Sequence, residues 1–112
     1  MGRKRTRTLT AGQGREALIT GYVLRLARES VTGGCSQERL AGAMDVSPDT
    51  VAGWETGRRP VTAVRAGQFV RLRSVLARLG AVPRLVRMLG IALEADQLLD
   101  HARAVGGPAR AR

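Results

Sequence analysis

Apolar residues recur along most of this chain at intervals of three and four, the period of a helix buried on one side. Leu18, Ile19, Tyr22, Val23, Leu26 and Ala27 form the first such set. Thr10 and Gln13 precede it with capping-box spacing, and Thr32-Gly33-Gly34 follows as a breaker, so a first helix is predicted over about 14–30. Ser36 is a hydroxyl cap for a short second helix over about 37–43, with Leu40, Ala41 and Met44 inward. Asp45-Val46 is a tight turn. Ser47-Pro48-Asp49 then supplies a cap, a proline at the first helical position and an acid at the positive helix end. That third helix is expected to reach Thr56, with Gly57 just beyond it. Proline keeps Arg58-Arg59-Pro60 out of a helix. A fourth helix is expected over about 63–79, carrying Phe69, Leu72, Leu76 and Leu79 on one stripe, with Gly80 and Pro83 ending it. Leu85, Val86 and Leu89 predict a fifth over about 83–89. Ala95, Leu98, Leu99, Ala102 and Val105 predict a sixth over about 92–105, leaving 106–112 as a tail. No period-two pattern is sustained, so the expected class is all-α.

Composition adds a partner to this picture. The chain has 112 residues, one domain's worth, with 19 basic against 9 acidic residues and a formal charge of +10. Such a balance points to a polyanion, with nucleic acid ahead of an anionic membrane surface. All the basic residues but Lys4 are arginine, which suits a GC-rich bacterial genome and also suits forked contacts to phosphate and guanine. Tyr22, Trp54 and Phe69 are the only aromatics, so the core must be Leu, Val and Ala.

Cys35 is the only cysteine and His101 the only histidine, which excludes an intrachain disulfide and a structural zinc site. The same scarcity leaves no nucleophile, base and metal set to assemble, so no enzyme, metal or cofactor is expected. No apolar stretch is long enough to span a membrane and no apolar run follows the basic leader, so the expected location is the cytoplasm, at the nucleoid. Met1-Gly2 with Thr6 fits a myristoylation pattern on paper. The bland reading, a basic leader, is preferred.

The block from Gln37 to Gly57, QERLAGAMDVSPDTVAGWETG, carries the chemistry. Two short helices joined by a tight turn form the helix-turn-helix geometry. Leu40, Ala41, Met44, Val46, Val51 and Trp54 fall inward, and Ala41 must be small where the helices cross. The block resembles the Xre/Cro-like helix-turn-helix family, which includes the lambdoid phage repressors. The likeness rests on Gln37, Leu40-Ala41, Val46-Ser47, Thr50-Val51, Trp54-Glu55 and Gly57, and extends over roughly 14–80.

The resemblance implies a lambda-repressor-like five-helix DNA-binding domain and an expected role as a DNA-binding transcription regulator. It places Gln37 on a phosphate and the start of the Ser47–Thr56 helix in the major groove. It also pairs Glu55 with an arginine of the first helix, here Arg28. The domain organisation read from this is a basic arm at 1–13, a DNA-binding domain at 14–80, C-terminal helices at 81–105 and a tail at 106–112. The C-terminal stripe of Leu98, Leu99, Ala102 and Val105 either caps the domain or packs on a second copy.

The sequence departs from the family pattern in three places. The loop between Arg28 and Gln37 is about two residues longer than usual. Asp45 stands where glycine is usual. Beside the capping Ser47, itself a candidate DNA contact, the groove-facing positions are Pro48, Asp49, Thr50 and Gly53, where relatives commonly carry long polar side chains. Asp49 can accept from a cytosine amino group and Thr50 can touch a thymine methyl, while Pro48 cannot donate and Gly53 permits close approach. Direct readout is therefore thin, and phosphate contacts from Arg58 and Arg59, with DNA shape, carry more of the expected binding. Arg5 and Arg7 in the arm fit either a solubilising leader or a minor-groove arm. Double-stranded DNA is the expected partner. A protein partner, as for an antitoxin that binds DNA as well, is the alternative reading.

Overall fold

The computed structural model describes residues 18–110, and side chains over 19–104. Five α-helices follow one another: α1 Leu18–Glu29, α2 Gln37–Met44, α3 Pro48–Thr56, α4 Ala66–Leu79 and α5 Pro83–Arg110, with a short 3-10 turn at Val61–Ala63. No strand occurs among the described residues. The basic arm, the Thr10–Gln13 cap and the expected start of the first helix lie outside them.

Local chemistry sets the helix ends. Ser36 caps α2, its hydroxyl accepting from the Arg39 N–H, and Ser47 caps α3 by accepting from the Thr50 N–H, with Pro48 as the first helical residue. Asp45 ends α2 in the left-handed conformation at φ 62°, a position where an aspartate costs less than a bulkier residue. The Val46 N–H then bonds back to the Ala41 carbonyl at 3.0 Å, which closes the turn of the helix-turn-helix. Gly57 and Gly80 end α3 and α4 with positive φ.

Leu24, Leu40, Val51, Val61, Leu72, Leu76 and Leu89 are fully buried, and Ala41, Met44 and Trp54 join them in one core. The inward set of the helix-turn-helix is therefore as the sequence predicts, with Val46 packed against its edge. Cys35 is buried in the same core.

Three differences from the sequence reading share a cause. On α1, Ile19 and Tyr22 are exposed, while Thr20, Gly21, Val23, Leu24 and Ala27 are buried. The helix is covered by α3 and by α5, so its inward face is wider and less apolar than a one-sided stripe. A Cβ on Gly21 would lie 2.5 Å from the Trp54 carbonyl oxygen and 2.7 Å from that of Glu55, so the crossing of α1 and α3 admits only glycine. On the other side, the Thr20 N–H and hydroxyl both donate to Asp96 Oδ2, at 2.8 and 2.5 Å.

The expected fifth and sixth helices are one helix, α5, and residues 106–110 continue it. Gly90 does not break it, because glycine costs a helix only about 1 kcal/mol relative to alanine. Leu89, Ala92 and Asp96, spaced at three and four, are buried on the side of α5 that packs against α1. Leu98 and Leu99 remain exposed. The fourth helix starts three residues late, at Ala66, because Val61–Ala63 forms the separate 3-10 turn.

Gly21→Ala sets a methyl against two backbone carbonyls that cannot move independently. It is expected to cost roughly 1–3 kcal/mol, the usual penalty of overpacking, measured as a lower urea midpoint with an unchanged slope.

Candidate nucleic-acid interface

The α2–turn–α3 unit rests on one buried ion pair. Arg28 donates from Nε to Glu55 Oε2 at 2.6 Å and from Nη2 to Oε1 at 3.0 Å, a bidentate fork. Its Nη1 reaches the Cys35 carbonyl at 2.8 Å, which pins the extended loop carrying Gly33 and Gly34. Gln37 Nε2 donates to Glu55 Oε1 at 2.9 Å. The side chains of Arg28 and Glu55 are only 11% and 4% exposed. Hydrogen bonding to Glu55 raises the Arg28 guanidinium above its ordinary value and outweighs the opposing effect of burial. The pairing that the family resemblance implies is thus present despite the longer loop.

With its C-terminal end fixed in this way, α3 presents its N-terminal half to solvent. Ser47, Pro48 and Asp49 are exposed and Thr50 is half-buried. The Ser47 and Thr50 hydroxyls are 2.9 Å apart. The Asp49 carboxylate is not a free acceptor: Oδ1 takes a bond from Arg58 Nη2 at 3.0 Å and Oδ2 one from Arg59 Nη2 at 3.4 Å. Gly53 is buried, and the aliphatic part of Arg59 lies over it. Gln37 is half-buried beside Glu55. Arg5 and Arg7 lie outside the described residues.

Two residues absent from the sequence reading join this face. A groove of about 490 Å³ beside α3 is lined by Thr50, Arg58 and Arg59 together with Arg65 and Gln68. A neighbouring hollow of about 570 Å³ shares Arg65 and Gln68 and adds Arg71. Arg65 is the residue before α4 and provides no side-chain cap for it. Its closeness in sequence to the Arg58-Arg59 loop was the available signal. The structure thus gathers Ser47, Asp49, Thr50, Arg58 and Arg59 on one surface, with Arg65 and Gln68 along its side.

Removing the acid from the buried pair leaves a guanidinium without a counter-charge. Glu55→Ala is expected to destabilise the fold by about 3–5 kcal/mol, seen as a large drop in Tm by circular dichroism.

A family model described as helix-turn-helix matches residues 24–71, from the middle of α1 to the first turns of α4. No curated protein and no solved structure matches the chain. No helix among the described residues is long and apolar enough to cross a membrane. The matched segment holds the buried Arg28–Glu55 pair, the capped α2–α3 turn and the arginine-lined surface, and residues 24–71 match a helix-turn-helix family of the Xre/lambda-repressor-like kind, a family of DNA-binding regulators.

Proposed function

We propose that this protein is an Xre-type transcription regulator that inserts the N-terminal half of α3 into the major groove of duplex DNA. The observation that carries this reading is the exposed, Ser47-capped start of α3 flanked by Arg58, Arg59 and Arg65. An α-helix fits the major groove, and Arg58 and Arg65 beside it meet the phosphates on its walls. Ser47, Asp49 and Thr50 face the bases. Gln37 uses one amide hydrogen on Glu55 and keeps the second for a phosphate. Arg58, 53% exposed and at the start of the loop after α3, contacts the DNA backbone.

One helix-turn-helix covers a half-site, and a symmetric pair reads two half-sites about one DNA turn apart. We assign the pairing surface to α5, where Met88, Ile91, Ala95 and Leu98 follow one another at spacings of three and four. Met88, Ile91 and Leu98 are exposed at 41%, 66% and 69%, an apolar seam along a helix already packed on its other side.

Selection of bound duplexes from a random pool tests the reading: a recurring paired motif supports it, and recovery of unrelated sequences refutes it. Arg58→Ala is expected to weaken binding to all duplexes alike and to flatten the dependence of log K on log salt by about one unit. An unchanged slope would remove Arg58 from the phosphates. Leu98→Asp is expected to leave the fold and half-site binding intact while sedimentation shifts to monomer and cooperative binding to paired half-sites is lost. Unaltered assembly in that variant would rule out the α5 seam.

A further inference from the structure

The surface of α3 lacks the long polar side chain that base reading requires, and the structure supplies one from outside the helix. Asp49 and Gly53 are four residues apart and share a helix face. Arg59 lies along that face. A Cβ built on Gly53 would meet Arg59 Cδ at 2.7 Å, Cγ at 2.8 Å and Cβ at 3.1 Å, so the stem occupies the space a side chain at 53 would fill. The Arg59 N–H donates to the Gly53 carbonyl at 3.0 Å, which fixes where the stem begins. The guanidinium ends at Asp49 Oδ2, on the first turn of α3. Arg58 reaches the same carboxylate through its other oxygen, and also the Asp49 carbonyl at 3.3 Å.

We propose that Arg59 is the base-reading side chain of this domain, with Gly53 as the seat of its stem and Asp49 as the residue that positions its guanidinium; this rests on the reading that α3 enters the major groove. Stability alone does not account for the arrangement. Asp49 and Arg59 are 65% and 51% exposed, and exposed ion pairs contribute little to folding. Its consequence is orientation: one Arg59 N–H is engaged by Asp49, and the others remain for the O6 and N7 acceptors of a guanine. Neutralised by two guanidinium groups, the Asp49 carboxylate is also kept from repelling the phosphates. Arg58 shares the clamp but not the seat, so it remains the backbone contact.

The test uses the full chain and the duplex obtained by random-pool selection, with every base pair of a half-site substituted in turn. Arg59→Lys keeps the charge and loses the fork. It is expected to reduce the preference for one G·C pair in each half-site by roughly 5- to 150-fold while the salt slope stays unchanged. Gly53→Ala leaves Arg59 in place chemically but unseats its stem, and is expected to lose preference at that same pair; circular dichroism establishes that it is folded. Arg59→Lys involves no core residue and decides the matter if Gly53→Ala does not fold. Wild-type preference at every position in Arg59→Lys overturns the proposal. So does an Arg59→Ala variant that weakens all duplexes equally and lowers the slope by about one unit, which would make Arg59 a phosphate contact. A wild-type protein that selects no sequence refutes the groove reading itself, an outcome distinct from a wild type that selects a site which Arg59→Lys still reads.

Discussion

The Glu55 carboxylate, 4% exposed, is the point on which the placement of α3 depends. Removing an ion pair from water costs several kcal/mol per ion, and the cost is recovered only where the geometry is good and the remaining polar atoms are satisfied. Both conditions hold. Arg28 engages both oxygens of Glu55, Gln37 adds a third bond, and the guanidinium's remaining reach goes to the Cys35 carbonyl. One carboxylate thereby joins α1, the extended loop, the start of α2 and the end of α3. Gly21 lets the α1 backbone approach the carbonyls of Trp54 and Glu55 closely enough for this to happen. Because α3 is gripped from its C-terminal end, its N-terminal end can project without losing its position.

The opposite side of α1 carries the second anchor. Asp96 lies 76 residues from Thr20 and binds its N–H and hydroxyl in the core. The residues beyond the matched segment are therefore structural partners of the helix-turn-helix. They complete the environment of α1, which in turn holds Arg28.

What could be read from the sequence was local. Ser36, Asp45, Ser47-Pro48, Gly57 and Gly80 act within a few residues of their own backbone, and their chemistry alone marks the helix ends. The inward set of α2 and α3 was also legible, since its spacing and residue sizes answer to one crossing. Thr20, Gly21, Gly90 and Asp96 were not, because their roles are fixed by distant elements and an apolar period registers neither a buried hydroxyl nor a glycine. The same limit hid the surface geometry. Gly53 reads in sequence as a gap in the helix face, and Arg59, ten positions beyond Asp49, reads as a loop residue. Only the fold shows that the second fills the first.

Three helical glycines share one logic. Gly21 admits the carbonyls of α3, Gly53 the stem of Arg59, and Gly90 the guanidinium of Arg73, whose Nη1 would lie 2.5 Å from a Cβ there. Each gives up helix propensity of about 1 kcal/mol and gains a close contact, against fixed backbone at Gly21 and against an arginine side chain at the other two. The two arginine seats also answer a problem of composition. A chain with only three aromatic residues has few large flat side chains to cover its helix surfaces, but it has many arginines. Their stems are apolar and their heads stay in water, so they can lie along a helix as packing material. Arg59 does this over Gly53, while at Gly90 it is the guanidinium of Arg73 that lies against the helix, 5.8 Å from the centre of the Phe69 ring. The cationic excess that suits the protein to a polyanion thus also covers the surface of the fold, and glycine is the residue that makes room for it.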